Sequence, residues 1–118
     1  MVLTNLNDDS VKIKQVTNPY NDSNSMNRKG IIVSGNWDDT IIEYIKKNEI
    51  EALYLNSAKG WAENNYTFLS KLTMIKEINI ISSGGVNLKC LEDMVNLEQV
   101  SITCFNDSTI DFTKLTNL

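Results

Sequence analysis

Adjacent carboxylates are the first groups in this chain whose type and spacing could do chemistry. Asp8-Asp9 and Asp38-Asp39 could in principle hold a hard cation. Such an ion wants about six or more oxygen ligands, and neither pair sits in a loop that supplies them at the needed intervals. Asp38 reads better as an acid at a helix start, where unpaired backbone N–H groups favour negative charge. Glu92 with Asp93, and Glu43 with Glu51, are further pairs suited in type to acid-base work, yet both fit an ordinary solvated surface. Histidine is absent, which removes the commonest general base and transition-metal ligand. Cys90 and Cys104 therefore have no imidazole to activate a thiol nucleophile. Both lie among apolar neighbours, where cysteine behaves as a small buried hydrophobe, so reduced thiols are expected unless the protein is exported. Gly84-Gly85 follows a strand-like segment and precedes a helix-like one, as a phosphate cradle does. It lacks the later glycine and lysine of the nucleotide fingerprints, and a tight turn is the simpler account. The expectation is a protein without cofactor or metal, not an enzyme; catalysis by carboxylates alone is the remote alternative.

The charge balance excludes another class. With 11 basic and 15 acidic residues among 118, the net charge is -4, and no stretch gathers lysine and arginine into a stripe able to neutralise a run of phosphates. Nucleic acid is not the expected partner. Lys12/Lys14 and Lys46/Lys47 read as solvated faces. The amino terminus has no basic segment leading into an apolar run, so no signal peptide is read there. No segment approaches the about 20 apolar residues of a spanning helix. A cytoplasmic protein with no membrane contact is expected, with room for one domain and a modest core.

The elements that must position any site follow from periodicity. Val11 to Val16 alternates apolar and charged residues like a half-exposed strand, placed to cover one end of a sheet. Residues 17 to 27 collect Asn, Ser, Asp and the single proline, a composition read as a mobile loop. Ile31-Ile-Val33 predicts a buried strand. Asn36 to Asn48 predicts a helix: capping residues and acids open it, Ile41, Ile42 and Ile45 share one face, and lysines close it. Asn48 is expected to end it in the left-handed conformation. Helical returns are also expected over Trp61 to Leu72 and Leu88 to Val95. Trp37 and Trp61 open two of these returns, where an indole serves to close the core at the strand-to-helix corner.

A hexad recurs along the chain. It reads Ile50-Glu-Ala-Leu53-Tyr-Leu55, Ile75-Lys-Glu-Ile78-Asn-Ile80 and Leu97-Glu-Gln-Val100-Ser-Ile102, with a fainter copy at Arg28-Lys-Gly-Ile31-Ile-Val33. The sixth positions fall at 33, 55, 80 and 102. Fixed spacing of this size signals stacked repeats, none of which can bury its apolar face alone.

These hexads, with Phe68-Leu-Ser-Lys-Leu72, Leu91-Glu-Asp-Met-Val95 and Phe112-Thr-Lys-Leu115 before the next strand position, resemble the leucine-rich repeats, in which Leu-x-x-Leu-x-Leu opens a unit of about 20 to 29 residues. The array looks short, divergent and of bacterial type. The resemblance implies an α/β solenoid, a right-handed superhelix with parallel strands on the concave side and helical returns on the convex side. Residues 28 to 118 would make about three and a half units, and residues 1 to 27 a cap strand and loop. One departure stands out: the family's turn Asn or Cys is replaced by Asn36, Ala58, Ser83 and Phe105, with Asn56 and Asn106 placed nearby to compensate.

In this architecture the residues between buried strand positions form the binding surface. They include Glu51, Tyr54 and Asn56, then Lys76, Glu77 and Asn79, then Glu98, Gln99, Ser101 and Thr103. Tyr54 is the expected anchor, because tyrosine supplies contact area and a hydroxyl at small entropic cost. Its bland alternative is a sheet-face residue packed between Ile32 and Asn79. The implied function is a protein-binding module, in the manner of a toxin antidote or an effector. The alternative is a structural or regulatory fragment that stacks on further repeats, or on a second copy through an uncapped last repeat.

Overall fold

The computed structural model describes residues 2–3, 11–21, 27–106 and 109–118. Asp8, Asp9 and the central part of the expected mobile loop, residues 22–26, lie outside the described residues. Among those described, six strands form one mixed sheet in sequence order: β1 Val2–Leu3, β2 Val11–Thr17, β3 Lys29–Gly35, β4 Ala52–Asn56, β5 Glu77–Val86 and β6 Gln99–Asn106. β2 runs antiparallel to both β1 and β3, and β3 to β6 are parallel. One α-helix, α1 (Thr40–Lys47), accompanies them, so the fold class is α/β.

The hexads set the register. Ile31, Leu53, Ile78 and Val100 are successive partners across β3 to β6, as are Val33, Leu55, Ile80 and Ile102. The first three members of each row are fully buried, and Val100 and Ile102 at the sheet edge are half-buried. Each such burial contributes about 1.5–3 kcal/mol, an upper figure because unfolded chains already hide some apolar surface. Ile41 and Ile45 of α1, Leu69, Leu72, Leu91, Met94 and Leu115 close the same core.

α1 opens where Asp38 Oδ1 accepts from the backbone N and the hydroxyl of Thr40, at 2.9 and 2.7 Å. Its end differs from expectation. Asn48 keeps φ at -103°, and Glu49 takes the left-handed conformation, φ 54°. The cause is local: Asn48 donates to Tyr44 O from both its backbone N and its Nδ2, at 3.0 Å each, which holds it in the last turn. The reversal then falls on the next residue.

The returns over 61–72 and 88–95 are not α-helical. They contain 3-10 turns at Thr67–Lys71 and Lys89–Asp93, with others at Ser57–Lys59 and Phe112–Lys114. Short polar side chains take backbone donors that a helix would need otherwise. Asn56 accepts from Ala58 N, Asn65 from Thr67 N, Asn87 from Lys89 N and Asp111 from Thr113 N, each at 2.9 to 3.0 Å. Glu63 Oε2 takes the N–H groups of Asn64 and Asn65 as well. Gly84 and Gly85 do not form the turn into a helix; they lie inside β5, whose pairing with β6 is irregular between Ile81 and Gly85. No helix among the described residues is long and apolar enough to cross a membrane.

Candidate functional site

Strand alternation sends every second side chain to the sheet face opposite the core. That face carries Lys12 and Lys14 on β2, Gly30, Ile32 and Ser34 on β3, Ala52, Tyr54 and Asn56 on β4, Glu77, Asn79 and Ile81 on β5, and Gln99, Ser101 and Thr103 on β6. Glu51, Lys76 and Glu98 stand at the strand entries. Their backbone continues the ladder, with Lys76 N donating to Glu51 O at 2.8 Å and Glu98 N to Lys76 O at 2.7 Å. The side chains of Lys76 and Glu51 pair with each other at 3.0 Å.

The face is divided. Tyr54, Asn56 and Glu77 are buried although they lie on the non-core side. Two residues flanking the 22–26 segment account for this. Tyr20 meets Tyr54 edge-on, with ring centroids 5.7 Å apart, and its hydroxyl accepts from Asn56 Nδ2 at 3.1 Å. Arg28 reaches across from the entry of β3, its Nη1 donating to Glu77 Oε1 at 3.1 Å and its Nη2 to Glu98 Oε1 at 2.6 Å. Tyr54 Oη donates to the other Glu77 oxygen at 3.3 Å. Burial raises the Tyr54 phenol above its ordinary range and the Glu77 carboxylate adds to this, while the Arg28 charge opposes it. The asparagines of the connecting segment serve its geometry: Asn18, Asn21 and Asn27 all have left-handed φ, and Asn18 Nδ2 donates to Asn27 Oδ1 at 3.2 Å.

The expected surface residues therefore do not form one surface. Tyr54, Glu77, Asn79, Gln99 and Ser101 converge around a small cavity of about 20 Å³, with Glu98 joined to them through Arg28. Asn56 turns away to cap the following turn and to hold Tyr20. Glu51 and Lys76 form a separate pair, and Thr103 is exposed on β6. Asn79 Oδ1 is shielded from solvent and has no hydrogen-bond partner among the described residues. Tyr54 does lie between Ile32 and Asn79 in the ladder, as the bland reading of that residue has it.

Sequence reasoning missed Arg28 and Tyr20. A signal for Arg28 was present: it stands at the first hexad position, where the other copies have Ile50, Ile75 and Leu97, all buried in the core. Nothing in the composition of residues 17 to 27 marked Tyr20. Both tryptophans sit at core corners: Trp61 is buried and donates from Nε1 to Tyr66 Oη at 2.8 Å, and Trp37 stacks on Phe68 at 4.1 Å between centroids. Among the described residues, no three His, Cys, Asp or Glu side chains are grouped to hold a metal ion. Cys90 and Cys104 are free thiols, and burial pushes the Cys104 thiol up. Comparison with known proteins returns no matching family model, no matching curated protein and no matching solved structure.

Proposed function

We propose that this chain is a leucine-rich-repeat type of solenoid segment that binds a protein through the open half of its sheet face. The repeat reading is supported by the in-register hexads on four consecutive parallel strands, with the returns all joining one core on the other side. The binding reading rests on the division of the face. Tyr20 and Arg28 cover β4 and the near side of β5, while Glu98 at the entry of β6 and Ser101 and Thr103 on it stay exposed, and Gln99 and Asn79 stay half-exposed beside them. Tyr54 and Glu77 then act as the supported floor of the site, and the contacts come from Asn79, Glu98, Gln99, Ser101 and Thr103. A toxin antidote or an effector would use such a face in the same way.

The test replaces Ser101 and Thr103, both exposed, with arginine. A partner captured from native lysate by the unaltered protein, once identified, should lose affinity for the double variant while the urea midpoint of the variant stays unchanged. Undiminished binding of that partner would refute the face assignment.

A second reading is favoured by a separate observation. The outer edge of β6 pairs with no other strand among the described residues, and Val95, Phe112 and Leu118 are exposed nearby in the chain. Such an edge can stack on further repeats or on a second copy. Sedimentation showing only monomer across the micromolar range would remove self-association.

A further inference from the structure

Lys12 and Lys14 are two residues apart on β2, so both side chains leave the non-core face on either side of buried Ile13. Their partners in register on β3 are Ser34 and Ile32. Lys59 reaches the same place from another element. Its turn closes on Gly60, which has a left-handed φ of 97° and lies so near β3 that a Cβ there would stand 3.1 Å from Ser34 Cβ. Gly35 N donates to Gly60 O at 2.8 Å and fixes this approach. The three lysines ring an open pocket of about 250 Å³ whose lining includes half-buried Ile32 and Ser34.

The charges in this pocket are unbalanced. Arg28, Lys71, Lys76, Lys89 and Lys114 all pair with carboxylates. Lys12, Lys14 and Lys59 are exposed and make no ion pair among the described residues, although the chain carries a net charge of -4. Lys29, Lys46 and Lys47 are also without an ion pair among them, and of these Lys46 shares its groove with Glu49 and Glu51. No carboxylate lines the Lys12, Lys14 and Lys59 pocket among the described residues.

We infer that this pocket docks an extended acidic segment of the partner protein, with alternate carboxylates on the lysines and the intervening side chains turned away from the sheet. The spacing supports this. Lys12 and Lys14 are separated by about 7 Å along the strand, the same repeat that places residues i and i+2 of an extended peptide on one side. A protein fits better than a nucleic acid, because three lysines on a chain of net charge -4 are too few to neutralise a run of phosphates. The inference rests on the reading that this sheet face binds protein and adds the chemistry of what it binds.

The probe is a fluorescein-labelled peptide of alternating glutamate and leucine, followed by anisotropy. A lysine-leucine peptide and a single-stranded oligonucleotide serve as comparisons. The acidic peptide should bind best, and replacing Lys12, Lys14 and Lys59 together with glutamine should weaken it about tenfold, the combined effect of three exposed ion pairs of ordinary strength. Added salt should weaken it further. Equal binding by the triple variant, absence of acidic-peptide binding, or preference for the oligonucleotide would each overturn the inference. These outcomes are independent of the Ser101 and Thr103 experiment: a captured partner lost with the arginine double variant but retained by the lysine triple variant leaves the face assignment standing and removes this pocket from it.

Discussion

Replacing Arg28 with methionine keeps a long apolar stem and deletes the guanidinium that spans the sheet face. The magnitude follows from what each carboxylate loses. The Arg28 and Glu77 side chains are only 6% and 7% exposed, whereas that of Glu98 is 39% exposed. Breaking a buried pair by removing one partner costs about 3–5 kcal/mol, because the surviving charge stays buried without compensation. The Glu98 arm is open to water and contributes about 0–1 kcal/mol. Tyr54 Oη, 3.3 Å from Glu77, still donates to the stranded carboxylate and lowers the loss. Arg28→Met should therefore cost about 3 kcal/mol, near the lower end of the buried-pair range. With a urea slope of about 1–3 kcal/mol/M, the midpoint should fall by about 1–3 M without a change in slope. Arg28→Met combined with Glu77→Met should recover most of this, since an apolar pair of similar volume avoids burying a lone charge. The reasoning fails if Arg28→Met shifts the midpoint by less than the scatter of repeated measurements, or if the double variant is no more stable than the single one.

Other parts of the molecule give sharper local tests. A Cβ at Gly30 would stand 2.7 Å from Tyr54 Cε2 and 2.9 Å from Ala52 Cβ, so Gly30→Ala should destabilise by about 1–3 kcal/mol through overpacking; an unchanged melting temperature would contradict this. Asp39, Glu92 and Asp111 are all held below their ordinary carboxyl values, Asp39 chiefly by Lys71, Glu92 by Lys89 and Asp111 by Thr113. Depressed carboxyls stabilise the fold above their unfolded values and lose that contribution as pH falls through the folded ones, so urea midpoints should decline as pH drops below about 4; a flat profile there would count against the pairings. Burial raises the phenols of Tyr54 and Tyr66. In an alkaline absorbance titration these two of the four tyrosines should stay neutral above the ordinary value of 10, and stability should fall as pH rises past it because the unfolded chain ionises first. Four phenols titrating together in a chain that remains folded would exclude this.

How much was legible beforehand depended on the kind of signal. The strand positions Ile31, Leu53, Ile78 and Val100 could be read because burial on one face imposes a period on the sequence, and the parallel register then follows from aligning equivalent positions. The return segments were misread as helices because Leu69, Leu72, Leu91 and Met94 are spaced as a helix would space them. A tight 3-10 turn brings the same residues inward, and the deciding information lay in single acceptors such as Asn65 and Asn87, each bonded two residues ahead. The candidate face was legible as a set of positions but not as a surface. Exposure depends on what crosses the sheet: Tyr20 comes from a segment whose polar composition carries no periodicity, and Arg28 stands at a hexad position whose other copies are core residues.

Arg28 occupies the first position of the hexad with the weakest apolar character, at the start of the parallel part of the sheet. Ile50, Ile75 and Leu97 bury their side chains in the core at the first hexad position. Arg28, at the same position, sends its side chain to the opposite face, where neighbouring strands lie about 4.8 Å apart and β5 is about 10 Å away. A side chain must be long to span that distance, and it needs separated donors to hold Glu77 and Glu98 at once. Lysine offers one nitrogen, whereas the guanidinium uses Nη1 for one carboxylate and Nη2 for the other. The arginine thus ties the entries of three strands together and, in doing so, fixes which half of the face is closed. Lys12 and Lys14 on β2 then stand on one side of the covered strand β4 and Glu98, at the entry of β6, on the other, so the closed middle of the face separates a basic area from an acidic one.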